Sequence, residues 1–277
     1  MKKNKTLPLV SIIMNCHNGE KYLSESLQSI LSQTYKNWEL IFFDNLSKDN
    51  SKKILKSVKD KRIKYFKSKK FLKLYDARNQ AIKKTKGKYI FFLDSDDRWK
   101  KNMINTLATF MESNDEYDIV YSNYYIFHQD KKKLSIPYNY ELPSGFITKK
   151  ILKKYPIGIL TTCIRKKIFE KKAFKAKYNI IGDFDFFVKM SIKNKIGCIQ
   201  KPLAYYRLHD SNFSKRNLKM YLNEMSQWIN ENYLLFKSMK INLIHQKFLL
   251  IRQRLKYFLF IIRGIKFKKL LFINEFK

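Results

Sequence analysis

As far as Tyr121, nearly continuous apolar runs of strand length alternate with segments whose apolar residues recur every three or four positions. Residues 9–14, 38–43, 63–66 and 89–93 are such runs, the pattern of strands covered on both faces. Between the first two, Leu23, Leu27, Ile30 and Leu31 fall on one helical face and predict a helix over 20–32, with Asn18 as its N-cap. Further helices are expected at 51–58, 77–84 and 103–111, and a fifth strand at 119–121. Gly87 is read as the residue that stops the third helix. This alternation predicts an α/β fold, a Rossmann-like and mostly parallel sheet flanked by helices. After it the pattern loosens. Residues 131–155 carry Pro137, Pro143 and Gly145 and read as loops with short strands; 183–192 reads as helix, 203–208 as extended, and 217 onward as helical and basic.

Composition supports a folded chain: of 277 residues 45% are hydrophobic and 16% aromatic, which excludes a disordered segment. The formal charge of +35 changes the picture less than its size suggests. Nine of the 58 basic residues are Arg and the rest Lys, and Lys is abundant alongside Ile, Asn, Phe and Tyr while Gly numbers 7. That is the residue set of AT-rich codons, with Lys spread over the surface; specific nucleic-acid readers rely on the Arg fork instead. The charge also suits attraction to polyanions, an anionic membrane face included. Cys16, Cys163 and Cys198 are widely spaced with no CxxC, so they read as reduced thiols of a cytosolic protein. The N-terminal segment lacks the apolar stretch of a signal peptide, and no uncharged run reaches the ~18 residues of a membrane span.

Ligands of open α/β sheets bind at the carboxyl ends of the strands. Three predicted strand ends carry polar residues: Asn15 to Asn18, Asp44-Asn45, and Asp94-Ser95-Asp96-Asp97. A lone acid such as Asp44 is ordinarily a turn former. Three carboxylates within four residues repel one another unless a cation or hydrogen-bond donors neutralise them, and hard oxygen ligands suit Mg²⁺ or Mn²⁺, which also bind diphosphates. An acidic turn capping the next helix is the plainer alternative. The chain has neither G-x-G-x-x-G nor G-K-[ST], so a glycine-rich phosphate loop is absent and neutralisation of a bound diphosphate would fall to a metal.

Five separated motifs together resemble family 2 glycosyltransferases of the GT-A fold: residues 10–18, 27–33, 43–49, Ala77-Arg78-Asn79, and 87–99 with its Asp94-Ser95-Asp96. The resemblance spans roughly residues 8–214. It implies an inverting, metal-dependent transfer of a sugar from a nucleotide-sugar donor, UDP-linked, to a glycan or lipid-linked acceptor in surface polysaccharide synthesis. By the same resemblance Asn15 and His17 line the base and ribose pocket, Asp44 hydrogen-bonds the nucleobase, Arg78 lies near the nucleotide, Asp94 and Ser95 contact it, and Asp96, with Asp94, holds Mg²⁺ or Mn²⁺. Asp183, aligned with the acid of a Glu-Asp motif that opens a helix, is the expected base, and Asp185 a weaker substitute. Arg207 and His209 in Tyr206-Arg207-Leu208-His209 resemble a closing motif near the diphosphate. Three departures stand out: His17 replaces a frequent tyrosine, Asn45-Leu46 a frequent Asp-Gly, and Gly182 the Glu that precedes the base.

The expected division is a GT-A domain over 1–215 and a basic helical segment over 216–277. In the latter Ile244, Phe248, Ile251, Leu255, Phe258 and Ile262 form an apolar stripe. A basic helix with such a stripe either lies on a membrane surface, here the inner face, or docks its stripe on the domain. Two rival functions remain at this level. A catalytically inactive nucleotide-sugar binder would bind without turnover, and a nucleic-acid binder driven by charge would leave the aspartates without a role. A metal-dependent nucleotidyltransferase shares strand-end acids but needs the basic glycine-rich loop that is missing.

Overall fold

The computed structural model describes residues 7–263. In chain order the elements are β1 (Val10–Cys16), α1 (Glu20–Leu31), β2 (Trp38–Asp44), α2 (Ser51–Ser57), β3 (Ile63–Lys67), α3 (Leu74–Ile82), β4 (Tyr89–Phe92), β5 (Arg98–Trp99), α4 (Met103–Ser113), β6 (Tyr117–His128), β7 (Lys133–Ser135) and α5 (Thr148–Lys153). There follow a 3-10 turn (Ile159–Thr161), β8 (Thr162–Arg165), α6 (Lys167–Lys171), α7 (Gly182–Lys193), β9 (Lys195–Leu208), α8 (Phe213–Arg216), α9 (Leu218–Ser238) and α10 (Ile244–Arg263).

Among the described residues one sheet runs β3-β2-β1-β4-β8-β6-β9-β5, with β7 pairing β6. Strands β3, β2, β1 and β4 are all parallel, and β1, β2 and β4 are buried at every position, as their apolar runs require. The strand after α4 does not extend this order. Strand β8, which comes much later in the chain, enters antiparallel between β4 and β6. Strand β6 then pairs β9 in parallel, and β9 carries β5 antiparallel at the edge.

Several local expectations are corrected. Gly87 does not cap α3, which ends at Ile82. It lets the chain pass against β1: its N–H donates to Ser11 Oγ at 2.8 Å, and a Cβ there would lie 2.5 Å from the Ser11 nitrogen. Asn18 does not cap α1. It adopts a left-handed φ of 53° and accepts the Lys48 N–H at 2.8 Å, while the Asp49 carboxylate caps α1 through the Glu20 N–H at 2.9 Å. The extended segment 203–208 is the end of a much longer β9, which bulges against β6 where Pro202 faces Asn123. Within 131–155 the helix α5 forms around Ile151 and Leu152, both buried. Helix α9 sends Leu222, Met225, Trp228 and Ile229 into the same apolar cluster as β1, β4 and α7, so a single core continues past residue 215. Ile262 and residues 264–277 of the basic segment lie outside what the structure describes at side-chain level.

Candidate active site

One turn of α3 holds the two acidic motifs together. Tyr75 and Arg78 are three residues apart and so share a helix face. Tyr75 Oη donates to Asp183 Oδ1 at 2.8 Å, and Arg78 Nη2 grips both oxygens of Asp94 at 2.7 and 3.0 Å. All three of Tyr75, Arg78 and Asp183 are buried. Burial, and then the Asp183 charge, push the Tyr75 hydroxyl well above its ordinary pKa, so it stays a donor. Burial alone would weaken the Arg78 cation, but Asp94, Tyr75 and Asp183 raise its pKa above the usual arginine value. Asp185, by contrast, faces the α7–α9 seam, bonded to Trp228 Nε1 at 2.9 Å and to Lys189, which gives it a structural role.

The turn after β4 carries the D-x-D residues. Asp97 points inward, accepting the Arg207 N–H at 2.8 Å, while Ser26 Oγ donates to the carbonyls of Ser95 and Asp97 at 2.8 and 2.7 Å. Asp94 and Asp96 stay open, their side chains 37% and 31% exposed. His209 comes from the end of β9 and sets Nε2 3.1 Å from Asp96 Oδ2, with its ring 4.8 Å from Tyr22. Within the turn Arg78 pairs with Asp94, His209 lies against Asp96, and a backbone donor serves Asp97. Arg207, expected at the diphosphate, is buried and engaged on all sides, by the Asp96 carbonyl at 2.8 Å, Glu25 at 2.7 Å and Gln129. It shapes the turn.

At the ends of β1 and β2, Asn15 is buried with neither side-chain polar atom partnered, an unusual cost unless a ligand completes it. Asp44 is held by the Ser47 N–H and Tyr65 Oη, each at 2.7 Å. His17 Nδ1 lies 2.8 Å from the Asn45 carbonyl, and its ring is 4.8 Å from Phe71, which is exposed. Asn45 explains one departure from the family pattern. It donates to the Leu72 carbonyl at 2.9 Å and accepts the Leu72 N–H at 3.0 Å, a pairing that an aspartate cannot make, and so fixes the loop that presents Phe71. Leu46 takes φ 60°, the conformation that a glycine there would adopt freely. Ser95 packs its Oγ close to Gly19, where a Cβ would approach it to 2.8 Å.

Glu224 of α9 is one residue that sequence reasoning missed. Its carboxylate accepts the N–H groups of Asn179, Ile180 and Ile181 at 2.7, 3.0 and 3.1 Å, fixing the loop that delivers Asp183. A single acid 41 positions downstream gives no sequence signal; only the fold brings it there. Tyr75 was equally silent, being one aromatic among 18 tyrosines.

Parallel β3-β2-β1-β4, an acidic turn at the carboxyl end of β4 and a second carboxylate opening α7 define a glycosyltransferase domain of the GT-A class. The description "Glycosyl transferase family 2" matches residues 11–176, more than half of the chain, and the chain belongs to that family. It is 33% identical over 215 residues to the UDP-Glc:alpha-D-GlcNAc-diphosphoundecaprenol beta-1,3-glucosyltransferase WfgD of Escherichia coli, covering 76% of this chain and 81% of that protein. Among solved structures, S. aureus TarS 1-349 in complex with UDP superposes with TM-score 0.61 at 20% identity, over 78% of this chain and 65% of that one. The mannosyltransferase PcManGT from Pyrobaculum calidifontis, in complex with GDP-Man and Mn2+, gives 0.62 at 12% identity over 82% and 65%. At these identities the structural likeness speaks for the fold. Asp183, Arg207 and His209 fall after the matched span, so their placement rests on the geometry above.

Proposed function

We propose that this glycosyltransferase moves a sugar from a UDP-linked donor to a hydroxyl of a glycan or lipid-linked acceptor, with inversion, in cytoplasmic steps of surface polysaccharide synthesis. The single observation that carries the reading is the Tyr75–Arg78 turn of α3, which ties the candidate base to the D-x-D turn. The relation to WfgD supports the donor and acceptor classes. Asp183 takes the acceptor proton as the hydroxyl oxygen attacks the anomeric carbon from the face opposite the departing diphosphate. Tyr75 and the loop held by Glu224 keep that carboxylate oriented. Asn15, with its unpartnered amide, His17, Asp44 and the exposed Phe71 ring receive the nucleoside, and Ser95 and Arg78 border the phosphates.

The residues also fit a divalent cation. Among the described residues no cluster of three or more His, Cys, Asp or Glu exists, but a cation shared with a diphosphate takes only one or two protein carboxylates. Asp96 and Asp94 are the side chains that would hold Mg²⁺ or Mn²⁺. Such an ion, when bound, supplies Lewis-acid stabilisation of the leaving diphosphate.

The test is a panel of UDP- and GDP-sugars with Mn²⁺, run on wild type, Asp183→Asn and Asp96→Asn. Asp183→Asn should lose on the order of 10²–10⁴-fold in transfer while keeping nucleotide affinity. Asp96→Asn should lose both turnover and the metal dependence of UDP binding. Wild type that binds UDP but never turns over would make the protein an inactive binder, and a retained anomeric configuration by NMR would overturn the assigned base.

A further inference from the structure

Helix α10 is mounted the opposite way round from an ordinary surface helix. It buries Gln246 and Gln253, together with Leu249 and Leu250, against the domain, and Leu243 just ahead of it is buried too. Gln246 reaches the Leu152 carbonyl of α5. The apolar stripe faces out instead: Ile244 is 67% exposed, Phe248 63%, Ile251 57%, Leu255 58% and Phe258 58%. These five residues fall within an arc of about 80° and along about 21 Å of helix, at 100° and 1.5 Å per residue. A helix that docked for its own stability would turn this face inward and leave the glutamines to water. On α9, the exposed Leu234 lies next to Tyr233, whose ring sits 4.4 Å beneath the Lys247 ammonium, so the apolar surface has a second contributor beside the stripe.

The surroundings of the stripe are cationic. From Lys240 to Arg263 the chain has six Lys or Arg and no acid. On the helical wheel Lys247 and Arg254 flank one side of the stripe, and His245, Arg252 and Lys256 the other. A cleft of about 800 Å³ opens on that second side, between α5 and α10, lined by Lys150, Lys153, Lys154, His245 and Arg252, with Glu141 as its one acid. A neighbouring cleft of about 310 Å³ adds Lys149 and Lys240. Among the described ion pairs none involves these α5 lysines. Among the described residues no helix is long and apolar enough to cross a membrane.

We propose that this face is a docking surface for an anionic phospholipid layer. The α10 stripe lies in the headgroup–acyl boundary, and the α5–α10 clefts take up lipid phosphates. Charge complementarity selects this occupant. A second copy of the chain would bring another strongly cationic face against the first, whereas an anionic bilayer offers apolar depth and negative charge together. The inference goes beyond the transfer reaction and does not depend on the donor or acceptor.

The experiment is cosedimentation of the full chain with vesicles of phosphatidylcholine alone, and of about two parts phosphatidylcholine to one part phosphatidylglycerol. Wild type should partition at least tenfold more strongly onto the anionic vesicles, and the double variant Phe248→Ser/Ile251→Ser should lose at least tenfold of that partitioning. Both positions are exposed, so circular dichroism and UDP affinity should stay as in wild type. Lys150→Gln/Lys153→Gln should weaken binding to anionic vesicles and leave the small binding to neutral ones unchanged. A full chain that ignores anionic vesicles overturns the proposal. So does a stripe variant that still binds them like wild type, since charge alone would then suffice. A concentration-dependent dimer that the stripe variant abolishes would assign the face to a second copy and would overturn it as well.

Discussion

A single methyl group placed on Gly182 should disturb both stability and catalysis, through one ring. Gly182 opens α7 immediately before Asp183, and a Cβ built there lies 2.4 Å from two carbons of the Tyr75 ring and 2.7 Å from a third. Carbon atoms pack best at about 3.5–4.0 Å, so the pair must part by at least ~1 Å. The ring has nowhere to go. Tyr75 is buried, its hydroxyl is bonded to Asp183, and its face packs against Phe174 at 5.3 Å between centroids. Overpacking of this kind costs about 1–3 kcal/mol, against which the better helix propensity of Ala returns at most ~1 kcal/mol. Gly182→Ala should therefore lower the unfolding free energy by about 1–2 kcal/mol in urea titrations at unchanged m-value. It should also reduce kcat by roughly 10-fold or more, since displacement of the Asp183 carboxylate by ~1 Å is catalytically severe. The decisive measurement is a double-mutant cycle with Tyr75→Leu, which removes the ring. In that background the methyl should cost close to nothing, a coupling of about 1–3 kcal/mol. An Ala variant as stable and active as wild type, or the same penalty in both backgrounds, would refute the steric argument.

Three other substitutions probe separate parts of the frame. Glu224→Gln keeps shape but replaces a charged acceptor of three backbone N–H groups; it should cost about 2–3 kcal/mol in urea and lower kcat more than it raises KM, and a purely KM effect would deny it a positioning role. Leu46→Gly removes a left-handed leucine of φ 60°; relief of ~1–2 kcal/mol less the entropy of a glycine should leave a gain of about 0.5–1 kcal/mol in thermal melts, and a loss would show that the leucine side chain matters more than its backbone. Glu39 is pushed up by burial, but hydrogen bonds from Lys64, Ser11 and the Lys86 N–H outweigh that and hold its pKa below the ordinary glutamate value. Its contribution is therefore complete above the unfolded pKa of about 4.3 and is lost as pH falls through the lower folded value. Stability measured against pH should drop on that acid limb in wild type and flatten there in Glu39→Gln; parallel curves would exclude Glu39 as the source.

What could be read from the sequence, and what could not, divides along the range of the forces involved. Strands β1, β2 and β4 and helix α1 were legible because a strand covered on both faces must be apolar throughout and a helix on a sheet must show its period; both are local demands. The D-x-D turn was legible because three carboxylates in four residues need a neutraliser. The partners of those carboxylates were not, since Arg78, His209 and the Arg207 N–H reach the turn from α3 and β9. Gly87 was misread for the same reason. A glycine after a helix has a local explanation, and the actual one, close passage against Ser11, belongs to strand pairing. Strand β8 could not have been placed between β4 and β6 by any pattern of its own, because four buried residues fit either edge equally well.

The C-terminal segment shows how a pattern can be right while its usual meaning is reversed. Periodicity reports that a helix has an apolar face; it does not report which way that face turns. On α10 the direction is set by the partner surface, which accepts two glutamines and a few leucines and leaves Phe248 and Phe258 outside. Helix α9 carries the opposite lesson. It falls in the segment read as a basic helical extension of the domain, yet Trp228 holds Asp185 and Glu224 holds the backbone ahead of Asp183, so the candidate base is positioned from a helix beyond the matched family span. Removal of the chain from α9 onward should therefore abolish folding of the site. Disturbance of the outward face of α10 should leave the site intact and change only where the protein resides. The two helices are adjacent in sequence, and each carries apolar residues at helical spacing. The distinction between them rests on which side chains are buried, a property the sequence does not contain one helix at a time.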